Sequence, residues 1–350
     1  MAFDLISNLV NLYYKDRLDE LDEYCSNASD IQSEQMFDLI REAEDTEIGK
    51  KYGFKTIFSY QDFRERIPVS DSETIKQYIK RIEKGENNLL WPGITKNVLI
   101  SFNEEKIPVS DQAINEIFFQ GTNDLYAVHL SDNPDSKIFN GYFLSVGNDG
   151  ENKFMDDISI LIRGNEPFLF SLMNLPKKAE MFEMSDESIE KFLNEISTEK
   201  ASCFKGSPRG LVNFIGRVEK IMDKNTKLQF ITEAEVLFHK TTELSSNLES
   251  LKTSLKIPVP VKSYYCSPEG FIGMQDDPKD NSYLLMLDLS IFYEFLPTSS
   301  LDSQPVPLED IEPGEDYQLI LSNCSGLWRY MSGGPKLRFV SKNPYRFLLV

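Results

Sequence analysis

The chain has 350 residues, of which 41% are hydrophobic, and this is enough apolar material for a substantial core. Asp and Glu number 56 against 37 Lys and Arg, so the formal net charge is −19. Such a surface repels the phosphates of nucleic acids and of anionic membranes, and it is typical of an acidic soluble protein without either partner.

Targeting and redox features of the sequence point to the cytoplasm. The N-terminus has an early acid at Asp4 and no basic segment, and no apolar run approaches the roughly 20 residues that span a bilayer. The cysteines lack CxxC spacing, so we expect reduced thiols and no metal site: Cys25, Cys203, Cys266 and Cys324.

Hydrophobic spacing predicts helices and strands that alternate along the chain. Helical spacing predicts helices at residues 3–24, 33–51, 72–84, 112–120, 186–196 and 211–222. Short apolar or alternating runs predict strands at residues 141–146, 158–162, 236–238, 259–265, 283–287, 291–295, 317–321 and 327–331. The apolar residues 345–350 are expected either to fold back as a strand or to dock against another chain. This mixture predicts an α/β or mixed α+β fold, as a single domain over residues 1–350 with one lobe or two.

Several strings in a fixed order carry a family resemblance. They are Lys55-Thr-Ile-Phe58, Tyr60-Gln-Asp-Phe63, Ile67-Pro-Val-Ser70, Leu90-Trp-Pro-Gly93, Ile107-Pro-Val-Ser110, Tyr265-Cys-Ser-Pro-Glu269-Gly-Phe-Ile-Gly273, Gln275-Asp-Asp-Pro278, Leu285-Met-Leu-Asp288, Ile291-Phe-Tyr-Glu-Phe295 and Gly326-Leu-Trp-Arg-Tyr-Met331. In this order and spacing, from residue 45 onward, the sequence resembles the plant auxin-responsive (Gretchen Hagen) acyl-acid amido synthetases in their bacterial form.

The resemblance implies an adenylate-forming ligase. Such enzymes use ATP and Mg²⁺ to convert a carboxylic acid into an acyl-adenylate, and an amino acid amine then attacks the activated carbonyl to give an amide. The implied fold is a large N-terminal α/β domain followed by a small mobile C-terminal domain. This sequence ends at Val350, near the point where that second domain would begin, so we expect it to be missing.

The sequence departs from the family pattern where ATP would bind. The Ser/Thr/Gly/Lys loop that cradles phosphates is replaced by a stretch with two acids, Glu104 and Glu105. In the second motif the hydroxyl position is Pro268, which has no N–H to donate. In the third motif the ribose-binding acid is replaced by Gly334, and a His-Gly-Gly string reads His239-Lys-Thr.

The resemblance assigns remnant roles to eight residues. The nucleotide cleft would retain Tyr265, Glu269, Gly270 and Arg329, and the substrate pocket would retain Pro208, His239, Trp328 and Tyr330. Ordinary structural roles compete with these assignments: Glu269 as a turn acid, His239 as a buried strand residue, and 328–330 as core. No catalytic residue and no metal ligand is assigned.

The joint loss of these elements predicts a degenerate, non-catalytic relative that acts as a binding or regulatory protein. Its expected partner is an active paralogue or a small carboxylic acid, with no cofactor. The alternative is an active ligase that uses ATP and Mg²⁺, with a rebuilt site or a separate C-terminal subunit.

Overall fold

The computed structural model describes residues 14–101, 103–146, 156–175, 185–195, 200–221, 234–241, 259–300 and 302–350. The chain divides into two compact units. The first unit comprises Met1–Asp19, Asn123–Tyr265 and Met274–Pro278, and the second comprises Glu20–Thr122, Cys266–Gly273 and Lys279–Val350. Among the described residues, no helix is both long enough and apolar enough to cross a membrane.

Residues 14–22 are helical, and named helices and strands alternate after them. The helices are α1 (Tyr24–Ala43), α2 (Glu47–Tyr52), α3 (Tyr60–Arg66), α4 (Ser72–Ile82), α5 (Asp111–Ala113), a π-helical segment (Ile114–Phe119), α6 (Gln120–Asp132), α7 (Asp157–Asn165), α8 (Phe168–Ser171), α9 (Asp186–Glu195) and α10 (Pro208–Ile221). The strands are β1 (Asn97–Ile100), β2 (Lys106–Val109), β3 (Tyr142–Ser145), β4 (Asn174–Leu175), β5 (Ala201–Gly206), β6 (Val236–Thr241), β7 (Val261–Ser267), β8 (Gly270–Met274), β9 (Tyr283–Leu285), β10 (Ile291–Pro297), β11 (Val306–Pro307), β12 (Asp316–Asn323), β13 (Tyr330–Met331), β14 (Leu337–Lys342) and β15 (Tyr345–Leu349).

The first unit is built on parallel strands in the order β7-β6-β5-β3-β4. One face of this sheet packs against α9 and α10, whose apolar residues recur at helical spacing and so bury one side of each helix. The buried side chains include Leu144, Phe204, Leu237, Ile189, Phe192, Leu211, Phe214 and Val218.

The other face of the same sheet packs against α6 through aromatic rings. Tyr126 of α6 lies 5.0 Å from Phe143 and 5.8 Å from Phe238, measured between ring centroids. His129, on the next turn of α6, lies 6.2 Å from Phe238. Burial and the nearby charge of Lys262 lower the pKa of His129 to about 4, so the imidazole is neutral. Helices on both faces are typical of parallel sheets, which must be covered on each side.

The second unit contains antiparallel strands in the order β11-β10-β12-β14-β15-β9, with β13 paired to β12. Helix α1 lies against β10 through the Gln32 amide, which donates to the carbonyls of Leu287 and Ile291 at 2.7 and 2.9 Å and accepts from the Tyr293 N–H at 2.8 Å. A separate hairpin of β1 and β2 packs beside α4.

The mixed α/β class is confirmed, and so are most predicted elements, including the apolar tail, which pairs as β15. Residues 158–162 form part of helix α7 and not a strand, because the Asp156 carboxylate caps the Ser159 N–H and Ile158 and Ile162 share one buried face. The predicted strand at 327–331 is limited to Tyr330–Met331, since Arg329 has a φ of 45°. The predicted helix over residues 3–13 lies outside the described residues.

Strand β5 approaches β3 so closely at Gly206 that a Cβ there would lie 1.6 Å from the Val146 carbonyl oxygen. We expect Gly206→Ala to lower the free energy of unfolding by about 3 kcal/mol, because the backbone of β3 must move. Gly216→Ala in α10 is the matched control, since nothing lies within 4 Å of its Cβ. It should be neutral or stabilising by up to about 1 kcal/mol. Urea unfolding followed by far-UV circular dichroism compares them, and equal stabilities would contradict the close contact.

Candidate functional site

The first Ile-Pro-Val-Ser string holds one strand of the candidate site in the second unit. The Ser70 N–H donates to the Arg329 carbonyl at 2.9 Å, and its hydroxyl donates to the Trp328 carbonyl at 2.8 Å. In return, the Met331 N–H donates to the Ser70 carbonyl at 2.9 Å. These bonds satisfy the backbone of residues 328–331 on one side, so this string is scaffolding for the Leu-Trp-Arg-Tyr motif.

The second Ile-Pro-Val-Ser string supports the turn that precedes the same motif. The Ser110 hydroxyl donates to the Cys324 carbonyl at 2.7 Å and also accepts the Ala113 N–H at 2.9 Å, which caps α5. The Ser110 N–H donates to the Ser325 hydroxyl at 3.1 Å. One buried serine therefore fixes both a helix start and the turn at residues 324–325.

Trp328 is part of the core of the second unit. Its Nε1 donates to the Leu90 carbonyl at 3.1 Å, and its ring lies 4.6 Å from Phe54 and 6.2 Å from Trp91. Gly326, with a φ of 84°, brings the chain so close that a Cβ would lie 2.5 Å from Leu90 Cβ. The indole is thus satisfied by protein atoms, as buried indoles usually are.

Arg329 makes a buried, bidentate ion pair with Glu294. Its Nε and Nη2 donate to the two carboxylate oxygens at 2.7 and 2.8 Å, and the two side chains are 6% and 1% exposed. Its Nη1 donates to the carbonyls of Arg64 and Ile67 at the end of α3, at 2.8 and 2.7 Å. The Tyr60 hydroxyl adds a bond to Glu294 at 2.9 Å. The guanidinium therefore joins α3, β10 and the 328–331 segment.

Tyr330 is fully buried, and its hydroxyl donates to the Glu105 carboxylate at 2.9 Å. Burial, then the bond to Glu105 and its charge, raise the pKa of Tyr330 well above its usual range, with smaller effects from Glu269 and Asp71. Carboxylates therefore surround this hydroxyl and oppose its ionisation.

Glu105 belongs to the β1–β2 turn, here meaning Ser101 and residues 103–105, at the place where the family resemblance implies a phosphate loop. The turn uses its own N–H groups: Glu104 donates to the Ser101 carbonyl at 3.0 Å and Glu105 to the Ser101 hydroxyl at 3.1 Å. Asn103 Nδ2 donates to the Gly333 carbonyl at 2.9 Å. Lys106, at the start of β2, pairs with Glu83.

Glu269 and Gly270 lie near the same segment. The Glu269 carbonyl accepts from Asn323 Nδ2 at 2.8 Å, and the residue is 3% exposed. A Cβ on Gly270 would lie 2.6 Å from Ile291 Cδ1, so packing alone accounts for this glycine. The structure thus brings together four of the predicted residues, Glu269, Gly270, Arg329 and Tyr330, within the second unit.

Three further predicted residues, Tyr265, His239 and Pro208, belong to the first unit, at the carboxyl ends of its parallel strands. Tyr265 pairs with Thr241 at the end of β7, His239 pairs with Gly206 and Ser263, and Pro208 begins α10 directly after β5. Tyr265 and His239 are 3% and 5% exposed. Ligands of open parallel sheets bind at this edge. Whether these positions contact a ligand stays a prediction.

Sequence reasoning missed a buried charged cluster at that edge. Lys240 of β6 lies 3.8 Å from the Asp156 carboxylate, and Lys205 of β5 is 8% exposed. Burial alone would raise the pKa of Asp156, but Lys240, bonds from Ser159 and Lys205 outweigh it and the pKa lies below its usual range. A lysine inside the apolar strings Ser-Cys-Phe-Lys and Val-Leu-Phe-His-Lys was the available signal.

The described residues of the β1–β2 turn and Pro268 do not fit the phosphates of a nucleoside triphosphate. A phosphate cradle needs free N–H groups and a cation, whereas the amides of Glu104 and Glu105 bond within the turn and Lys106 pairs with Glu83. Glu105 adds a negative charge, and Pro268 has no N–H. Among the described residues, no group of three or more His, Cys, Asp or Glu side chains is placed to hold a metal ion.

The ion pair of Arg329 and Glu294 should dominate the stability of the second unit. We expect Glu294→Gln to lower the free energy of unfolding by about 3–5 kcal/mol, because it leaves a buried guanidinium uncompensated. Asp316→Asn is the control, since Asp316 binds Arg338 with similar geometry but the two side chains are 30% and 45% exposed. Urea unfolding followed by tryptophan fluorescence measures both, and similar losses for the two variants would contradict the assignment.

High pH tests the protonated state of Tyr330. Its folded pKa lies above the usual 10.0, so above pH 10 the unfolded chain releases this proton while the folded chain keeps it. The contribution of protonated Tyr330 to the free energy of unfolding is complete below pH 10, and it is lost as the pH rises towards the folded pKa. We expect Tyr330→Phe to reduce the fall in unfolding free energy by up to about 1.4 kcal/mol per pH unit above 10, as measured by urea unfolding. Parallel losses in the two proteins would show that Tyr330 ionises normally.

The sequence matches two domains of one family. Residues 17–198 match the GH3 family N-terminal domain, and residues 284–342 match the GH3 family central domain. Similar proteins include indole-3-acetic acid-amido synthetase GH3.10 of Arabidopsis thaliana, 29% identical over 23% of this chain, and jasmonoyl–L-amino acid synthetase JAR4 of Nicotiana attenuata, 28% identical over 22%. The matches span only 18% and 17% of the lengths of these relatives.

Solved structures agree in fold. The acyl acid amido synthetase AtGH3.15, in complex with 2,4-DB, has a TM-score of 0.75 at 18% identity, over 96% of this chain and 70% of that protein. A 2-hydroxyisobutyryl-CoA ligase has a TM-score of 0.61 at 10% identity, over 92% of this chain and 66% of that protein. The fold is therefore that of adenylate-forming ligases, and the resemblance drawn from the ordered strings is confirmed: the chain belongs to the GH3 family.

Proposed function

We propose that this chain is a non-catalytic member of the GH3 family that acts by binding and not by adenylation. The observation that carries the proposal is the β1–β2 turn, in which the amides of Glu104 and Glu105 bond to Ser101 and the Glu105 carboxylate accepts the Tyr330 hydroxyl. A triphosphate would find a negative charge there in place of free donors. Arg329 supports the same conclusion, because its guanidinium is committed to Glu294 and two carbonyls.

The ligand we propose is a small carboxylic acid, bound in the first unit. Support comes from Lys205 and Lys240, which place positive charge at the carboxyl ends of β5 and β6 beside Asp156. A buried ammonium pairs strongly with a carboxylate because water screens the pair weakly. Regulation of an active paralogue is the second use we propose, through the shared family fold. A cytoplasmic location belongs to the same proposal and agrees with four free cysteines.

The competing proposal is an active ligase that joins a carboxylic acid to an amino acid, with ATP and Mg²⁺ as cofactors and Tyr265, Glu269 and Arg329 as retained contacts. The similarity to an indole-3-acetic acid-amido synthetase and to a jasmonoyl–L-amino acid synthetase favours it. The geometry around Glu105 and Pro268 opposes it, for the reasons given above.

Pyrophosphate exchange separates the two proposals. We expect no ATP-dependent exchange with any member of a carboxylic acid panel, and no thermal stabilisation by ATP and Mg²⁺, because a ligand stabilises only a fold that binds it. Some acid of the panel should stabilise the protein, and the shift should vanish in Lys240→Met but persist in Lys191→Met, an exposed lysine of α9. Exchange that needs this chain alone would refute the non-catalytic assignment.

Restoring single family residues should not restore adenylation. Pro268→Ser returns one hydroxyl and Gly334→Asp returns one carboxylate, but the amides of Glu104 and Glu105 stay bonded to Ser101 and the Glu105 carboxylate stays in place. Groups that act together in a site contribute non-additively, so we expect exchange in both variants to stay at background. Measurable exchange in either variant, in the same assay, would show that one contact was limiting.

A further inference from the structure

We propose that the β1–β2 turn is an internal plug: the side chains of Asn103 and Glu105 occupy the hydrogen-bonding positions of residues 330–334 and keep an anionic ligand away from them. This inference rests on the proposed function and concerns the regulation of the same site. Two bonds form the plug, Tyr330 Oη to Glu105 and Asn103 Nδ2 to the Gly333 carbonyl, each 2.9 Å long.

The segment beneath the plug is shaped to receive it. A Cβ on Gly333 would lie 2.2 Å from Asn103 Nδ2, so only glycine permits this approach. Several polar groups of the segment bond within it or to β12: the Gly334 N–H donates to the Ser332 hydroxyl at 3.2 Å, and Gln318 donates to the Ser332 carbonyl at 2.5 Å. The side chains of the plug thus bond to the Tyr330 hydroxyl and the Gly333 carbonyl, which lie outside these other bonds.

The β1–β2 turn that carries the plug is itself held by backbone hydrogen bonds. Glu104 has a φ of 61°, and its N–H closes the turn onto Ser101. The Ser101 N–H donates back to the Glu105 carbonyl at 2.7 Å, so the backbone of the turn is fixed by β1 and β2. Lys106 and Glu83 tie the base of the hairpin to α4. A preorganised turn places the Glu105 carboxylate against Tyr330 without further ordering cost.

Electrostatics gives the plug its selectivity. Tyr330 already lies near the charges of Glu269 and Asp71, and Glu105 adds a further negative charge in direct contact. Anions are repelled from such a position in proportion to their own charge, so polyphosphates are excluded most strongly. Removing Glu105 lowers this repulsion and frees the Tyr330 hydroxyl to donate to a ligand oxygen.

The test uses magnesium pyrophosphate and the full chain, with the variant Asn103→Ala/Glu105→Ala. We expect calorimetric titration to show at least about a tenfold gain in affinity over the original protein, a factor that corresponds to about 1.4 kcal/mol. Amide hydrogen exchange of residues 331–334 should accelerate at the same time. Glu104→Gln is the control, because it removes one charge from the same turn at an exposed side chain and should change neither measurement.

A second variant approaches the contact from the other side. Gly333→Ala keeps both plug residues but displaces Asn103, so it should show faster exchange and a smaller gain in affinity. Faster exchange without any gain in pyrophosphate affinity, or equal affinities in all proteins, would overturn the plug. Adenylation by the original protein would instead overturn the proposed function, and that outcome is read in a separate assay.

Discussion

The candidate site depends on one buried interaction, the bidentate pair of Arg329 and Glu294. Burying two charges is costly unless they pair with good geometry. Here Nε and Nη2 of Arg329 donate to Glu294, and Nη1 donates to the carbonyls that end α3. The pair also holds Arg329 in left-handed backbone, at a φ of 45°, which costs a residue with a side chain about 1–2 kcal/mol. This twist ends the predicted strand early and turns Tyr330 towards Glu105.

The strings that identify the family are therefore scaffolding. Ser70 and Ser110 bond to opposite parts of residues 324–331, and Gly326 allows the chain to pass Leu90. The two serines satisfy buried backbone carbonyls and Gly326 makes room for Leu90, so these residue types are fixed by the fold whatever the protein binds. Pro268 and Gly334 stand where the resemblance implies contacts to a nucleotide, and on the proposed function such positions are free to change because no nucleotide is bound there. The fold and the chemistry can thus separate within one family.

The sequence predicted those features of the fold that depend on local residue patterns. Helical and alternating spacing located most elements, but the strand predicted at residues 158–162 was wrong, because the apolar run alone did not distinguish a strand from the helix that Asp156 caps. The ordered strings identified the fold class and the main segment of the site. The bond between Tyr330 and Glu105 joins residues 225 apart in sequence, and no local rule couples them. The cluster of Lys205, Lys240 and Asp156 likewise forms only when parallel strands align.

Charge explains how one acidic chain can favour a small acid over a nucleotide. Repulsion by exposed surface acids is screened within about 10 Å at 0.1 M salt, so a single carboxylate meets little resistance before it reaches Lys205 and Lys240. A triphosphate carries several charges, and at residues 330–334 it meets Glu105 at contact distance, where screening is weak. The energy of repulsion grows with the product of the charges. On the proposed function, discrimination between a monoanion and a polyphosphate therefore comes from the Glu105 carboxylate at contact distance and not from the screened net charge of −19.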